Sequence, residues 1–164
     1  MQIGFAKIRI KNNIKEPKQK KTKIAISRLS KRYPNMEYIF ENCDIVRDYE
    51  CDIQGIVNNA NYQHYMEHSR HLYVMDRGVS FAALHEAGID VVVARFEIKY
   101  KTPLRPCDEY VCRLRPEKMG IRYVFHQAIF RKKDNKLCCQ AQVDCVATKG
   151  GRLVADLPEL DALL

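Results

Sequence analysis

Residues Tyr49 to Tyr62 read Y-E-C-D-I-Q-G-I-V-N-N-A-N-Y, and they hold the ingredients of a reaction. Asp52 is a carboxylate at the expected end of a strand. Gly55 follows three residues later as a turn former, and Asn58 or Asn59 is a helix N-cap type standing before a long helical pattern. The first N–H groups of a helix have no partner inside it and sit at the positive end of its dipole, so they suit an oxygen that becomes negative. A base or nucleophile beside such donors is the arrangement that acyl transfer needs.

The elements that must position these groups follow from periodicity. Phe40 to Cys51 alternates as a strand does, and Ile53-Gln54-Gly55 reads as a turn. From Ala60 to Asp76, residues Tyr62, Tyr65, Met66, Ser69, Tyr73 and Asp76 recur at three- and four-residue steps, which predicts a long amphipathic helix ending before Gly78. A shorter helical piece spans Ser80 to Ala87 and stops at Gly88. Five strand segments follow: Ile89 to Tyr100, Glu109 to Glu117, Arg122 to Lys132, Lys136 to Lys149 and Arg152 to Ala155. Their turns lie at Pro103 and Pro106, at Met119-Gly120, at Asp134-Asn135 and at Gly150-Gly151. Read in order, they form an antiparallel meander with one face covered by the helix. The fold class is α+β, and the uncovered face and free edge call for a second subunit.

Composition sets limits. With 164 residues there is room for one domain and an appendage. The net charge of +8 is unevenly held. Residues 1–35 carry eight Lys and three Arg against Glu16 alone, a charge of +10, which leaves −2 for residues 36–164. The division is therefore a basic leader with the composition of a flexible tail over 1–35 and a nearly neutral domain over 36–164. That charge distribution argues against nucleic acid as the domain's partner. No apolar run is long enough to cross a bilayer, and the first residues lack the apolar stretch of a secretory signal, which points to the cytoplasm. The seven cysteines include no C-x-x-C pair and read as reduced core fillers.

Asp52, Gly55, Ile56, Val57, Asn61 and Tyr62 match, in order and spacing, the signature of the 4-hydroxybenzoyl-CoA thioesterase family and its relatives in the bacterial Tol-Pal cluster. The resemblance extends to F-E-I-K-Y-K-T-P-L-R-P-C-D-E-Y (Phe96 to Tyr110), with Cys107 where Gly is usual, and to R-L-V-A-D-L-P (Arg152 to Pro158). It covers about residues 37–158. It implies a hot-dog fold, an antiparallel sheet of five or six strands wrapped around one long helix, paired into homodimers or homotetramers with active sites at the dimer interface.

The same resemblance implies an acyl-CoA thioesterase that releases carboxylate and CoA, without metal or redox cofactor. Asp52 would act as nucleophile or general base, and the backbone N–H of Asn59 would polarise the thioester carbonyl. Gly55, Val57, Asn61 and Tyr62 would shape the substrate site. Many relatives carry His at the Asn59 position, so this chain lacks that second titratable group. Glu67, eight residues along the helix, matches the offset of a helix acid used in another branch. It either meets Asp52 of a partner or orders the interface, for instance by pairing with Arg70. Arg131 and Lys132, with Lys133, end a strand where they could grip the phosphates of CoA. An acyl carrier protein thioesterase and a non-catalytic acyl-CoA-binding protein are the rival readings. A hot-dog dehydratase is weaker, because no His stands near Asp52. His64, His68 and His71 have metal-ligand spacing on the helix, but no acid or Cys completes a set, and a solvated face is expected instead.

Overall fold

In the computed structural model, which describes residues 37–164, six strands and two helices are built. The basic leader of residues 1–35 lies outside the described residues. In chain order the elements are β1 (Phe40–Ile45), α1 (Asn59–Asp76), α2 (Phe81–Glu86), β2 (Ile89–Tyr100), β3 (Glu109–Met119), β4 (Arg122–Arg131), β5 (Lys136–Lys149) and β6 (Arg152–Val154). They make one antiparallel sheet in the spatial order β1-β3-β4-β5-β2, with β6 added to the end of β5. The sheet packs against α1, and this is the expected hot-dog. No helix of the described residues is long and apolar enough to cross a membrane.

Helix α1 starts where Asn58 caps it: the Asn58 side-chain oxygen accepts from the Ala60 N–H at 3.0 Å. It ends at Gly78, whose φ of 74° lets the Val79 N–H turn back to the Val74 carbonyl at 3.1 Å. The buried face is Tyr62, Tyr65, Met66, Ser69, Arg70, Tyr73 and Val74. Three positions differ from the predicted stripe. Asp76 is exposed, because the helix has by then passed the edge of the core, and Arg70 and Val74 are buried instead. His64, His68 and His71 are exposed.

Beneath the helix, Tyr110, Leu114, Phe125, Ile129, Cys139 and Val143 supply the sheet side of the core. Each such aromatic or branched side chain contributes about 1.5–3 kcal/mol by leaving water. Tyr65 stacks on Tyr110 with ring centroids 4.6 Å apart, which ties the middle of the helix to the start of β3.

Three expectations need correction. The first strand ends at Ile45 rather than Cys51, since Asp48–Glu50 forms a 3-10 turn in which the Glu50 side chain accepts from the Arg47 N–H at 2.7 Å. The meander holds for β3, β4, β5 and β6, and fails at β2. Strand β2 lies beside β5, at the opposite edge from β1, and residues 101–108 carry the chain back across to β3. The cysteines are not uniformly core: Cys112, Cys138, Cys139 and Cys145 are buried, while Cys43 and Cys107 are exposed. Neighbours Cys138 and Cys139 are both buried because β5 carries a bulge there, with Ile129 opposite Cys139 and Phe130 opposite Leu137.

Candidate active site

The Asp52 segment is a short hairpin closed at its base. Cys51 bridges Val57, the Asp52 N–H donates to the Ile56 carbonyl at 2.9 Å, and the Gly55 N–H donates to the Asp52 carbonyl at 2.9 Å. Gly55 has a φ of 67°, and a Cβ there would meet no atom within 4 Å, so backbone conformation and not space demands the glycine. At the tip, Asp52 Oδ1 accepts from the Gln54 N–H at 2.8 Å. Its other oxygen, Oδ2, has no hydrogen-bond partner among the described residues. Asp52 is half-buried.

The hairpin leads directly into α1, and its returning leg lies against residue 50: the Asn58 N–H donates to the Glu50 carbonyl at 3.0 Å. Asn61 Nδ2 donates to that same carbonyl at 2.7 Å. Asp52 and the head of α1 are thereby bound to one backbone junction. Asn59 itself is exposed, and among the described residues its N–H meets no acceptor. An unoccupied donor at a helix N-terminus, in the same loop as a carboxylate with one free oxygen, can receive the oxygen of a polarised carbonyl.

Four hydrogen bonds brace this junction. Glu50 Oε2 accepts from the Tyr65 hydroxyl at 2.7 Å, and burial, with that bond to a carboxylate, pushes the Tyr65 pKa well up. Val57 N–H donates to the Leu104 carbonyl at 2.9 Å, and the Leu104 N–H returns to the Tyr62 hydroxyl oxygen at 2.9 Å. Tyr62 is buried, and burial pushes its pKa up as well. The Tyr100 hydroxyl, at the end of β2, donates to the Asn59 carbonyl at 3.0 Å.

Of the remaining predicted residues, Arg131 borders the site, its Nη1 reaching the Pro103 carbonyl at 3.4 Å in the loop that touches the Asp52 turn, while Glu67 lies farther along α1. Glu67 sits about 12 Å along the helix from Asn59 at 1.5 Å per residue. Its side chain is 53% exposed, 3.9 Å from His64. It does not pair with Arg70, whose Nη1 donates instead to Gln127 Oε1 at 2.8 Å, because Arg70 turns inward toward β4. Arg131 is engaged by Asp134 at 2.7 Å, and Lys132 by Glu109 at 3.2 Å. Lys133 meets the buried Asp108 at 2.7 Å.

Sequence reasoning missed Glu50, Tyr65, Tyr100 and Arg105. Arg105 Nη1 reaches the Gly55 carbonyl at 3.4 Å, so the Pro103 to Pro106 loop touches the Asp52 turn. Only Glu50 carried a usable signal, as a second acid next to Asp52 in a run that otherwise packs.

The profile of the Thioesterase-like superfamily matches residues 46–162. Among curated proteins, a chloroplastic acyl-acyl carrier protein thioesterase of Arabidopsis thaliana is 32% identical over 98 residues, covering 59% of this chain and 52% of the relative. The chain thus spans about half the length of that relative. Among solved structures, a hypothetical protein from Aquifex aeolicus superposes with a TM-score of 0.71 at 27% identity, covering 76% of this chain and 99% of the other. A 1,4-dihydroxy-2-naphthoyl-CoA thioesterase from Synechocystis also gives 0.71, over 76% of this chain and 94% of its own, at 14% identity, a likeness of fold. With the profile covering the Asp52 hairpin, α1 and every strand from β2 onward, the chain belongs to the thioesterase-like superfamily.

Proposed function

We propose that the protein hydrolyses an acyl-CoA thioester, with Asp52 as its catalytic carboxylate and the Asn59 N–H as oxyanion donor. The observation that carries this reading is the pairing, in one loop, of a carboxylate held by one oxygen with a helix N-terminus whose first N–H is open. The carbonyl oxygen of the thioester accepts from Asn59. Asp52 either attacks the carbonyl carbon, giving a mixed anhydride that water cleaves, or takes a proton from a water that attacks directly. In both routes the C–S bond breaks, CoA leaves as thiolate and acquires a proton, and the acid is released.

Acyl carrier protein is the second carrier to consider, because the Arabidopsis relative is named for it. Both carriers present the same phosphopantetheine thioester, so a panel of acyl-CoA and acyl carrier protein substrates separates them. Asp52→Asn keeps an oxygen for the Gln54 N–H and should lower kcat by at least the ~10²–10⁴-fold associated with a general base. Release of free thiol by the native chain but not by the variant is the expected result. Binding without thiol release would make the protein an acyl-CoA-binding module, and an active Asp52→Asn would remove Asp52 from the mechanism. A single turnover in ¹⁸O-water followed by mass spectrometry of the Asp52 peptide distinguishes the two routes, since only breakdown of an anhydride by attack at the Asp52 carbonyl labels that carboxylate.

A homodimer completes the proposal. Glu67 cannot reach Asp52 of its own chain along α1, and β2 offers a free edge through which a second copy can bring the two together.

A further inference from the structure

Glu50 stands two residues before Asp52 and is held from several directions. Its side chain, 11% exposed, accepts at Oε2 from the Arg47 N–H and from the Tyr65 hydroxyl, each at 2.7 Å, and at Oε1 from Arg47 Nη1 at 3.3 Å. Its backbone carbonyl accepts twice more, from the Asn58 N–H at 3.0 Å and from Asn61 Nδ2 at 2.7 Å. The donors on Asn58, Asn61 and Tyr65 belong to the cap and body of α1, so the start of the helix hangs from one residue. The anchors of the carboxylate are themselves fixed. Arg47 is also engaged by Asp44 at 3.3 Å. Tyr65 is buried with its ring stacked on Tyr110, and burial together with the carboxylate pushes the phenol's pKa up, so it remains a donor.

Three donors converge on this side chain, and an ionised carboxylate, which only accepts, can satisfy them all. An amide in its place would turn its own N–H groups toward at least one of them. The helix has a separate hold on the sheet, because Tyr62, Met66, Tyr73 and Val74 bury their side chains in the core beneath it. What Glu50 adds is direction. The chain leaves it through Cys51, whose N–H donates to the Asp48 carbonyl at 3.1 Å, and reaches Asp52 at the next residue. It returns through Val57 and Asn58 to the head of α1. A shift of Glu50 against Tyr65 therefore moves Asp52 relative to the Asn59 N–H.

We infer that Glu50 is a positioning residue: anchored by Arg47 and Tyr65, it sets the separation between Asp52 and the Asn59 N–H without touching the substrate. The inference rests on the reading of those two groups as catalytic carboxylate and oxyanion donor. A bound carbonyl must offer its oxygen to one while its carbon, or the water that attacks it, meets the other, and a misplacement of ~1 Å can cost about 10²-fold in rate. Tyr65, buried in the body of α1, then governs a turnover in which its hydroxyl takes no direct part.

The test is steady-state kinetics of the full chain carrying Glu50→Gln, Tyr65→Phe, both together, or Glu50→Asp, each assayed well below its own thermal midpoint. Glu50→Gln and Tyr65→Phe should each lower kcat by about tenfold or more and change KM by less than about twofold, the mark of geometry lost only in the transition state. The double variant should turn over like Glu50→Gln alone, because both changes break the same contact. Glu50→Asp keeps the charge but is one methylene too short to reach Arg47 and Tyr65 together, and it should be as slow as Glu50→Gln. Should Glu50→Gln fail to fold, Tyr65→Phe, which keeps the ring and its stack on Tyr110, carries the test. Native kcat in Tyr65→Phe or in Glu50→Asp, losses that multiply in the double variant, or a loss confined to KM overturns the inference. Amide NMR reads the same variants without hydrolysis: the Asn59 N–H and Asn61 side-chain signals should move in Glu50→Gln and in Tyr65→Phe, and unmoved signals overturn the inference. Moved signals in a protein whose native chain releases no thiol would sink the thioesterase reading alone.

Discussion

At the scale of single residues, Asn61 joins chemistry to structure. Its side chain donates to the Glu50 carbonyl at 2.7 Å, the same atom that the Asn58 N–H reaches, so it ties the first turn of α1 to the chain just ahead of Asp52. Asn61→Ala should cost about 1 kcal/mol, the net value of one partly buried hydrogen bond, read as a shift in urea midpoint. It should also lower kcat by loosening the hairpin, while a stability loss with unaltered kcat would show that the hairpin stands without it. The match of Asn61 to a family signature marked the position, but the partner was invisible, because Glu50 lies eleven residues away and bonds through its backbone.

Asp108 gives a second prediction at this scale. Burial opposes its ionisation, but Lys133 at 2.7 Å, the Arg105 N–H at 3.0 Å and the nearby Arg131 outweigh it and hold its pKa below the usual carboxylate value. A depressed carboxylate stabilises the fold above its unfolded pKa, about 3.9, and that contribution fades as pH falls through the lower folded value. Asp108→Asn should therefore be less stable than the native chain at pH 7, and the gap should close between about pH 4 and the folded pKa. Paired denaturation curves across that range check it. A gap that stayed constant with pH would mean the asparagine disturbs packing rather than charge.

At the scale of elements, the ends of α1 were legible and the end of β1 was not. Asn58, Gly78, Ser80 and Gly88 act through local backbone geometry, which a sequence displays directly. The stop of β1 at Ile45 depends on the Glu50 carboxylate folding back on the Arg47 N–H, a side-chain choice that alternation cannot reveal. The cap also sets up the site, since it leaves the Asn59 N–H open by satisfying the Ala60 N–H. Asn58→Ala should cost about 1 kcal/mol of stability, whereas Asn58→Asp, which keeps the acceptor and adds a charge at the dipole's positive end, should retain it. If the added charge competes with the incoming carbonyl oxygen, KM for the thioester should rise in Asn58→Asp with the fold intact. Thermal midpoints and steady-state kinetics on the two variants separate capping from substrate binding.

At the scale of the molecule, strand composition and turns announced an antiparallel sheet, while the spatial order of its strands was hidden. Residues 101–108 join β2 to β3, yet the two strands end up on opposite sides of the β4-β5 pair, and nothing local in those residues distinguishes that crossing from a simple turn. The consequence is functional. Because β2 is twelve residues long, pairs only with β5 and is the sheet's outer strand, one whole row of its backbone groups is free. The opposite edge, β1, has six residues and carries Glu41 and Asp44, which makes it the poorer template. Val92 is 46% exposed and Val93 50%, an unusual placement for valines that no second chain covers. A two-fold axis through β2 would pair it antiparallel with itself, so every residue near the axis faces its own copy. A lysine placed there repels its twin. Val92→Lys should therefore convert an assembly of two or four 19.1 kDa chains to single chains in light scattering, at unchanged secondary structure. If Glu67 of one subunit serves Asp52 of the other, thiol release should fall with the mass. A native chain that already runs at 19.1 kDa would refute the edge-to-edge pairing, and a monomeric variant that keeps full turnover would place the whole site within one chain.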